Sequence, residues 1–333
     1  MNTKQNLNWA VLGTGVIADE MAQAFLGAGK QVYAVGNRTY DKAVTFAKKY
    51  QIKKVYLDFH EMFSDKDVDV IYITTPHNTH IEFIREAIKN GKHVLCEKSI
   101  TLNSRELKEV VAVAKEKGII LGEAMTIYHM PLYKKLRALV SSGTLGQVNL
   151  IQVNFGSYKT YDMDNRFFNM NLAGGALLDI GVYAFSLARS FLLSRPKEMV
   201  SKVHYASSGA DEKAGFVMTN KEGQMVVVSL SLHSKQPKRA VISCERGYIE
   251  IMEYPRAEEA VIVDAETGQR TIIREGQQKN ALQYEMVDME AAINGDSEIM
   301  RLNDTIDVMD MMSEIRTKWQ MYYPSETPGK ICR

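Results

Sequence analysis

Short apolar runs alternate with helical stretches through the first part of the chain. Asn8-Trp9-Ala10-Val11-Leu12, Gln31–Val35, Val55-Tyr56, Val68–Thr74, Val94–Cys96 and Ile119–Glu123 read as strands. Val68–Thr74 is largely apolar, as a central parallel strand buried on both faces should be. Helical stretches separate the strands, ending near Gly29, Tyr50, Gly91 and Gly118. Ile81, Ile84 and Ile88 recur at helical spacing, with Gly91 at the C-terminal cap position. Asn103 and Glu106 have the spacing of a capping box. Such alternation through residue 123 predicts a doubly wound parallel sheet with right-handed crossovers.

The pattern changes after Glu123. A helix is expected from Pro131 to Ser141, a strand from Gln147 to Phe155, and an apolar helix from Ala176 to about Leu193. Strands then follow at Met199–Tyr205, Gly215–Thr219, Met225–Leu232, Ala240–Cys244, Tyr248–Met252, Ala260–Val263 and Thr271–Arg274. Glu222-Gly223, Arg246-Gly247 and Thr267-Gly268 mark turns between them. Consecutive strands joined by turns predict an open, mostly antiparallel sheet with helices on one face. Two helices, Asn280–Ile293 and Thr305–Trp319, close the chain; Met309, Met311 and Met312 fill a core or an interface. The fold class is therefore α/β in two domains, 1–123 for a nucleotide and 124–333 for substrate and oligomerisation.

Composition narrows the function. Forty-one Lys and Arg against 40 Asp and Glu leave a net charge of +1, which gives no electrostatic case for nucleic acid or an anionic membrane. The polar start Met1–Asn6 has no apolar leader segment, and no run of ~18 apolar residues is expected to span a membrane. Cys96, Cys244 and Cys332 show no metal-ligand spacing, and their odd count fits a reducing, cytoplasmic setting.

Candidate chemistry begins at Gly13-Thr14-Gly15-Val16-Ile17-Ala18, a G-x-G-x-x-A run between a strand and a helix. Gly13 permits a tight turn, Gly15 lets backbone approach a pyrophosphate, and Ala18 lets helix and strand pack closely. The helix N-terminus adds N–H groups and partial positive charge. The second strand ends in Gly36-Asn37-Arg38 rather than an acid. An acid there would bind a ribose 2′-hydroxyl, whereas an Arg suits a 2′-phosphate, so NADP is expected, with NAD as the alternative. Arg38 capping a turn or lying over the adenine would suit either cofactor. Thr75-Pro76-His77-Asn78-Thr79-His80 follows a strand end; Asn78 and His80 line a cofactor site or cap the next helix. His60 and His93 read as structural or solvated. Glu97-Lys98 ends another strand, on the side where open parallel sheets bind ligands. Asp179 and Tyr183 are four apart and share a helix face. An Asp in so apolar a run needs a partner, which is a structural hydrogen bond or a site.

Taken together, Gly13–Ala18, Thr75–His80, Cys96-Glu97-Lys98 and Gly174–Tyr183 resemble the glucose–fructose oxidoreductase/inositol dehydrogenase (Gfo/Idh/MocA) family over nearly the whole chain. The chain looks most like the branch with Tyr after the Asp, which includes dimeric dihydrodiol dehydrogenase. The resemblance implies a Rossmann domain binding NADP or NAD through Gly13, Thr14, Gly15, Val16, Ile17, Asn37, Arg38, Thr75, Pro76, Asn78, His80, Glu97 and Lys98. It implies that Lys98, Asp179 and Tyr183 stand around a substrate hydroxyl or carbonyl, with Tyr183 or Lys98 as the base. It also implies a homodimer or homotetramer. Two departures stand out. Ser99 replaces a proline that is often cis, so the backbone behind Lys98 is expected to differ. Tyr128-His129-Met130 lacks an Arg that relatives often carry before the residue that here is Pro131.

The expected reaction is reversible hydride transfer between the nicotinamide and a carbinol carbon of a sugar, polyol or related compound. A second reading is a trans-dihydrodiol or diketone reductase with an apolar pocket lined by Phe167, Phe168 and Tyr161. A third is a dinucleotide-sensing regulatory protein without turnover.

Overall fold

The computed structural model describes residues 6–332. Met1–Gln5, most of the polar start, and Arg333 lie outside the described residues. The chain divides into two compact units, each described by itself.

The first unit is built on six parallel strands: β1 (Trp9–Leu12), β2 (Ala34–Gly36), β3 (Lys54–Tyr56), β4 (Val70–Ile73), β5 (His93–Glu97) and β6 (Leu121–Ala124). They lie in the order β3-β2-β1-β4-β5-β6, in parallel register throughout. This is the expected doubly wound sheet, with its order reversing between β1 and β4. Its helices are α1 (Val16–Gly27), α2 (Tyr40–Tyr50), α3 (Phe59–Ser64), α4 (His80–Lys89) and α5 (Ser104–Glu116). β2 is shorter than expected. Only Ala34–Gly36 pair in register with β1, and the preceding Tyr33 gives β1 one further bond, N–H to Trp9 O at 2.9 Å.

The expected break at residue 123 needs a correction. Leu282–Leu302 also belongs to the first unit. Leu282, Met286, Met289, Ala292 and Met300 are buried in one cluster with Trp9, Phe25, Tyr72 and Leu95. Burying that apolar stripe draws the segment back to the first sheet. Glu290 fixes it, accepting from Trp9 Nε1 at 3.3 Å and pairing with Lys30.

The second unit opens with α6 (Thr126–His129) and α7 (Pro131–Ser141), then β7 (Val148–Gly156) and α8 (Val182–Phe191). Its other strands are β8 (Glu198–Tyr205), β9 (Asp211–Thr219), β10 (Met225–Ser231), β11 (Gln236–Cys244), β12 (Gly247–Met252), β13 (Glu259–Asp264) and β14 (Arg270–Arg274). The order is β14-β13-β12-β11-β7-β10-β9-β8. Every pair is antiparallel except β7 with β10. The unit closes with α10 (Leu302–Lys318); α9 (Ala281–Ile293), which precedes it in the chain, belongs from Leu282 on to the first unit. Met309, Met311 and Met312 of α10 are all buried within the chain, so they fill core and not an interface.

α8 is preceded by a π turn, Leu177–Gly181, where a regular helix from Ala176 was expected. Against the expectation that no such stretch exists, Met170–Phe191 is long and apolar enough to cross a membrane by composition. In the fold 78% of its most apolar window is buried inside the protein, as in a core helix.

Candidate functional site

β1 is fully buried and ends at Gly13, whose φ is +108°. A Cβ there would stand 2.4 Å from Thr74 Oγ1, so only glycine lets the β1 and β4 ends approach. Gly13 N–H donates to Gly36 O at 2.8 Å, tying the turn to β2. Gly15 is the N-cap of α1 and offers no side-chain cap. A Cβ on Gly15 would meet no atom within 4 Å. The start of α1 is therefore open beside Gly15 at the point where the sheet order reverses, which is where a pyrophosphate fits. Val16 beside them is 79% exposed, an apolar surface that a ligand would cover. Thr14 and Ile17 are half-buried. Asn37 is half-buried, with Nδ2 donating to Thr39 O at 3.0 Å. Arg38 is exposed and makes no ion pair or hydrogen bond among the described residues. These residues fit a dinucleotide.

Thr75, exposed Pro76 and half-buried Asn78 follow β4, with Thr79 Oγ1 donating to Thr75 Oγ1 at 2.8 Å. For His80 the expectation is a place lining the cofactor site or a cap on the next helix. His80 is fully buried, with Nε2 2.8 Å from Thr75 O and Nδ1 3.0 Å from Ser99 O. Burial pushes its pKa below the ordinary imidazole value, while those carbonyls pull it back up. His77, missed in the sequence, sets Nε2 3.0 Å from Lys98 O. The two histidines thus grip the carbonyls of both Lys98 and Ser99.

The Lys98–Ser99 peptide is cis although residue 99 is not proline. Ser99 is fully buried, and Ile100 N–H donates to the buried Glu123 carboxylate at 3.1 Å. Half-buried Glu97 accepts from Tyr72 OH. Lys98 itself is half-buried on this braced backbone. His93 is structural, with Nδ1 3.0 Å from Ile120 N, and His60 is solvated, 3.5 Å from Glu86.

In the second unit Asp179 lies in the π turn and Tyr183 in the first turn of α8. Asp179 keeps 11% of its side chain exposed and lies 3.9 Å from Arg166 Nη1. Arg166 also sits over Phe167, 4.3 Å from the ring centroid, and Lys159 lies 4.2 Å from the same centroid. Tyr183 is half-buried, its ring 6.0 Å from Phe155. Phe168, expected to line a pocket, is fully buried and underlies the exposed Tyr161 at 5.3 Å. Tyr128 and His129 are buried too. Arg166 and Phe155 had no signal in the sequence, because their partners lie in other elements.

Models of two families match the chain. An oxidoreductase family with an NAD-binding Rossmann fold (GFO_IDH_MocA) matches residues 7–125. The GFO/IDH/MocA C-terminal domain matches residues 133–250. The chain is 28% identical over 328 residues to trans-1,2-dihydrobenzene-1,2-diol dehydrogenase of Xenopus tropicalis, covering 95% of this chain and 99% of the relative. The Mus musculus enzyme of the same name is 30% identical over 264 residues, 77% of this chain and 78% of that protein. Solved structures share the fold. A 3-ketoreductase from Actinomadura kijaniata in complex with NADP and TDP-benzene superposes with a TM-score of 0.82 at 20% identity, over 94% of this chain and 98% of that one. A UDP-N-acetylglucosamine 3-dehydrogenase from Acidithiobacillus ferrooxidans gives 0.80 at 18% identity, over 93% and 96%. The chain belongs to the Gfo/Idh/MocA family of oxidoreductases, and its first domain is an NAD(P)-binding Rossmann domain.

Proposed function

We propose that this protein is an NADP-dependent dehydrogenase or reductase acting on a secondary hydroxyl or carbonyl of a small diol or sugar-like compound. The observation that carries this reading is the uncapped N-terminus of α1 behind Gly13 and Gly15, in a chain that dihydrodiol dehydrogenases match nearly end to end. Arg38, exposed at the end of β2, is the ligand for a 2′-phosphate. The nicotinamide, when bound, supplies the hydride chemistry. Tyr183 exchanges the proton of the substrate oxygen, Asp179 accepts from a substrate hydroxyl, and Lys98 sets positive charge against the developing alkoxide. Half-exposure of Lys98 and Tyr183, with Asp179 held beside Arg166, supports these roles.

We propose a cytoplasmic homodimer or homotetramer. All three cysteines are free, which suits a reducing compartment. One cross-strand row of the second sheet reads Val200, Val217, Val227, Gln152, Val241, Glu250, Val261, Ile272. Six of these are apolar, none is buried, and Val200 and Ile272 are 73% and 50% exposed. So apolar a face suits a second copy of the chain.

The test is titration with NADPH and NADH, read by cofactor fluorescence, in the native protein and in Arg38→Ala. Tighter NADPH binding, lost by about tenfold in the variant, is expected. NADP⁺-dependent oxidation of trans-1,2-dihydrobenzene-1,2-diol and a sugar panel then follows. Equal binding of both cofactors by the native protein removes Arg38 from the site, and no turnover of any diol or sugar overturns the substrate class.

A further inference from the structure

The π turn that carries Asp179 starts against an acid from another strand. Asp211 opens β9 and is fully buried. Its Oδ2 accepts from Leu177 N–H at 2.6 Å. Its Oδ1 has no hydrogen-bond partner among the described residues. Gly175, φ +131°, precedes the turn, and a Cβ there would stand 2.0 Å from Asp211 Oδ1. Glycine at 175 is thus what admits the carboxylate. Ala176, at the N-cap of the turn, has no side chain that can cap. The first N–H groups of a helix need an acceptor, and a carboxylate is the favoured one because it also meets the positive end of the helix dipole. Asp211 supplies from β9 what Ala176 lacks.

We propose that Asp211 is a positioning residue, whose carboxylate holds the first turn of this helix and so sets the direction in which Asp179 and Tyr183 meet substrate. The inference rests on the reading that Asp179 and Tyr183 handle the substrate. Two neighbours support it. Tyr323 OH donates to Gly174 O at 3.0 Å, holding the chain just before the turn. Gly181, at the end of the turn, is pressed against Leu230, where a Cβ would stand 2.9 Å from Cδ1. The turn is therefore fixed at both ends, and at its start the partner is the Asp211 carboxylate.

That charge titrates near neutrality. Burial raises the Asp211 pKa to about 7, while the N–H groups of Leu177, Ala176 and Asp211 itself, and the Arg316 guanidinium, pull it down. Tyr205 and Tyr323 face it as neutral phenols, each with its pKa raised by burial and by Asp211. Arg316 is shared with Glu326 in a buried pair. A protonated Asp211 still accepts from Leu177 but no longer meets the helix end with a negative charge.

The experiment compares the native protein with Asp211→Asn, Asp211→Ala and Tyr183→Phe. It reads thermal unfolding, NADPH binding, and kcat and KM for diol oxidation from about pH 6 to about pH 9. Asp211→Ala is expected to lose about tenfold in kcat, with NADPH affinity and KM within about twofold. Asp211→Asn is expected to recover much of that loss and to lack the rise in kcat through pH 7 expected of the native enzyme. Native kcat in both variants, with the rise through pH 7 retained in Asp211→Asn, overturns the positioning role. Should Asp211→Ala not fold, the Asp211→Asn profile decides alone. Full activity in Tyr183→Phe overturns instead the reading of Asp179 and Tyr183 beneath it, so the two failures are told apart by that variant.

Discussion

Single residues decide the nucleotide turn. Gly13 combines a φ of +108° with a Cβ position 2.4 Å from Thr74 Oγ1. Alanine there is strained in backbone and blocked in space, so β1 and β4 must part. Gly13→Ala is expected to weaken NADPH binding at least about tenfold and to cost about 1–3 kcal/mol of stability, read by fluorescence titration and chemical unfolding. A Thr-Pro-x-x-x-His stretch after a strand looks like a ligand loop, yet the His80 ring is buried with carbonyls at both nitrogens. A neutral imidazole has one N–H, so it donates to one of Thr75 and Ser99 at a time. Its ring lies between the backbone carbonyls of Thr75 and Ser99, while His77 meets that of Lys98. For Asp211 the sign of the pH effect on stability follows from the raised pKa. Between the unfolded carboxyl's pKa near ~4 and the folded value of about 7, the native state holds a proton that the unfolded state has lost. Stability from this group is complete below that window and falls as pH rises through it. Asp211→Asn removes that slope, which a set of denaturant melts across the same pH range measures.

At the scale of elements, α9 binds to a sheet whose last strand closes long before it in sequence. Met286 and Met289 are fully buried in the cluster around Trp9. Met289→Ala is expected to cost about 2–5 kcal/mol and to shift Trp9 emission to the red as water reaches the ring, measured in one urea titration with fluorescence detection. Helices and strands themselves were largely legible. The strand Val94–Cys96 and the helix Pro131–Ser141 stand where their patterns put them, because burial on one face or both leaves a period in the sequence. The partners of those elements were not legible. The parallel pairing of β7 with β10 joins strands far apart in sequence, and no turn signal records it. The π turn at Leu177–Gly181 is set by Asp211, Gly175 and Leu230, residues on other elements or with no period of their own. Likewise Gly13 and Gly15 announce themselves by spacing, whereas Arg166 is tied to Asp179 by the fold alone.

For the whole molecule, the mostly apolar row across the eight strands of the second sheet bears on assembly. Val217 sits between Val200 and Val227 in that row, 44% exposed. Val217→Lys places a charge between two valines of the apolar face without touching the core. It is expected to give monomers that remain folded and bind NADPH, seen by light scattering at micromolar concentration. A native protein that is already monomeric there overturns the assembly. The discontinuity of the first unit has a different bearing, on synthesis. Its sheet ends at Ala124, but the stripe that covers Trp9 and Phe25 begins at Leu282. At about 5–20 residues per second, roughly ten to thirty seconds of translation separate the two. Through that interval the nucleotide domain leaves the ribosome with one apolar flank bare, and the domain that begins first is the one whose core is finished almost last.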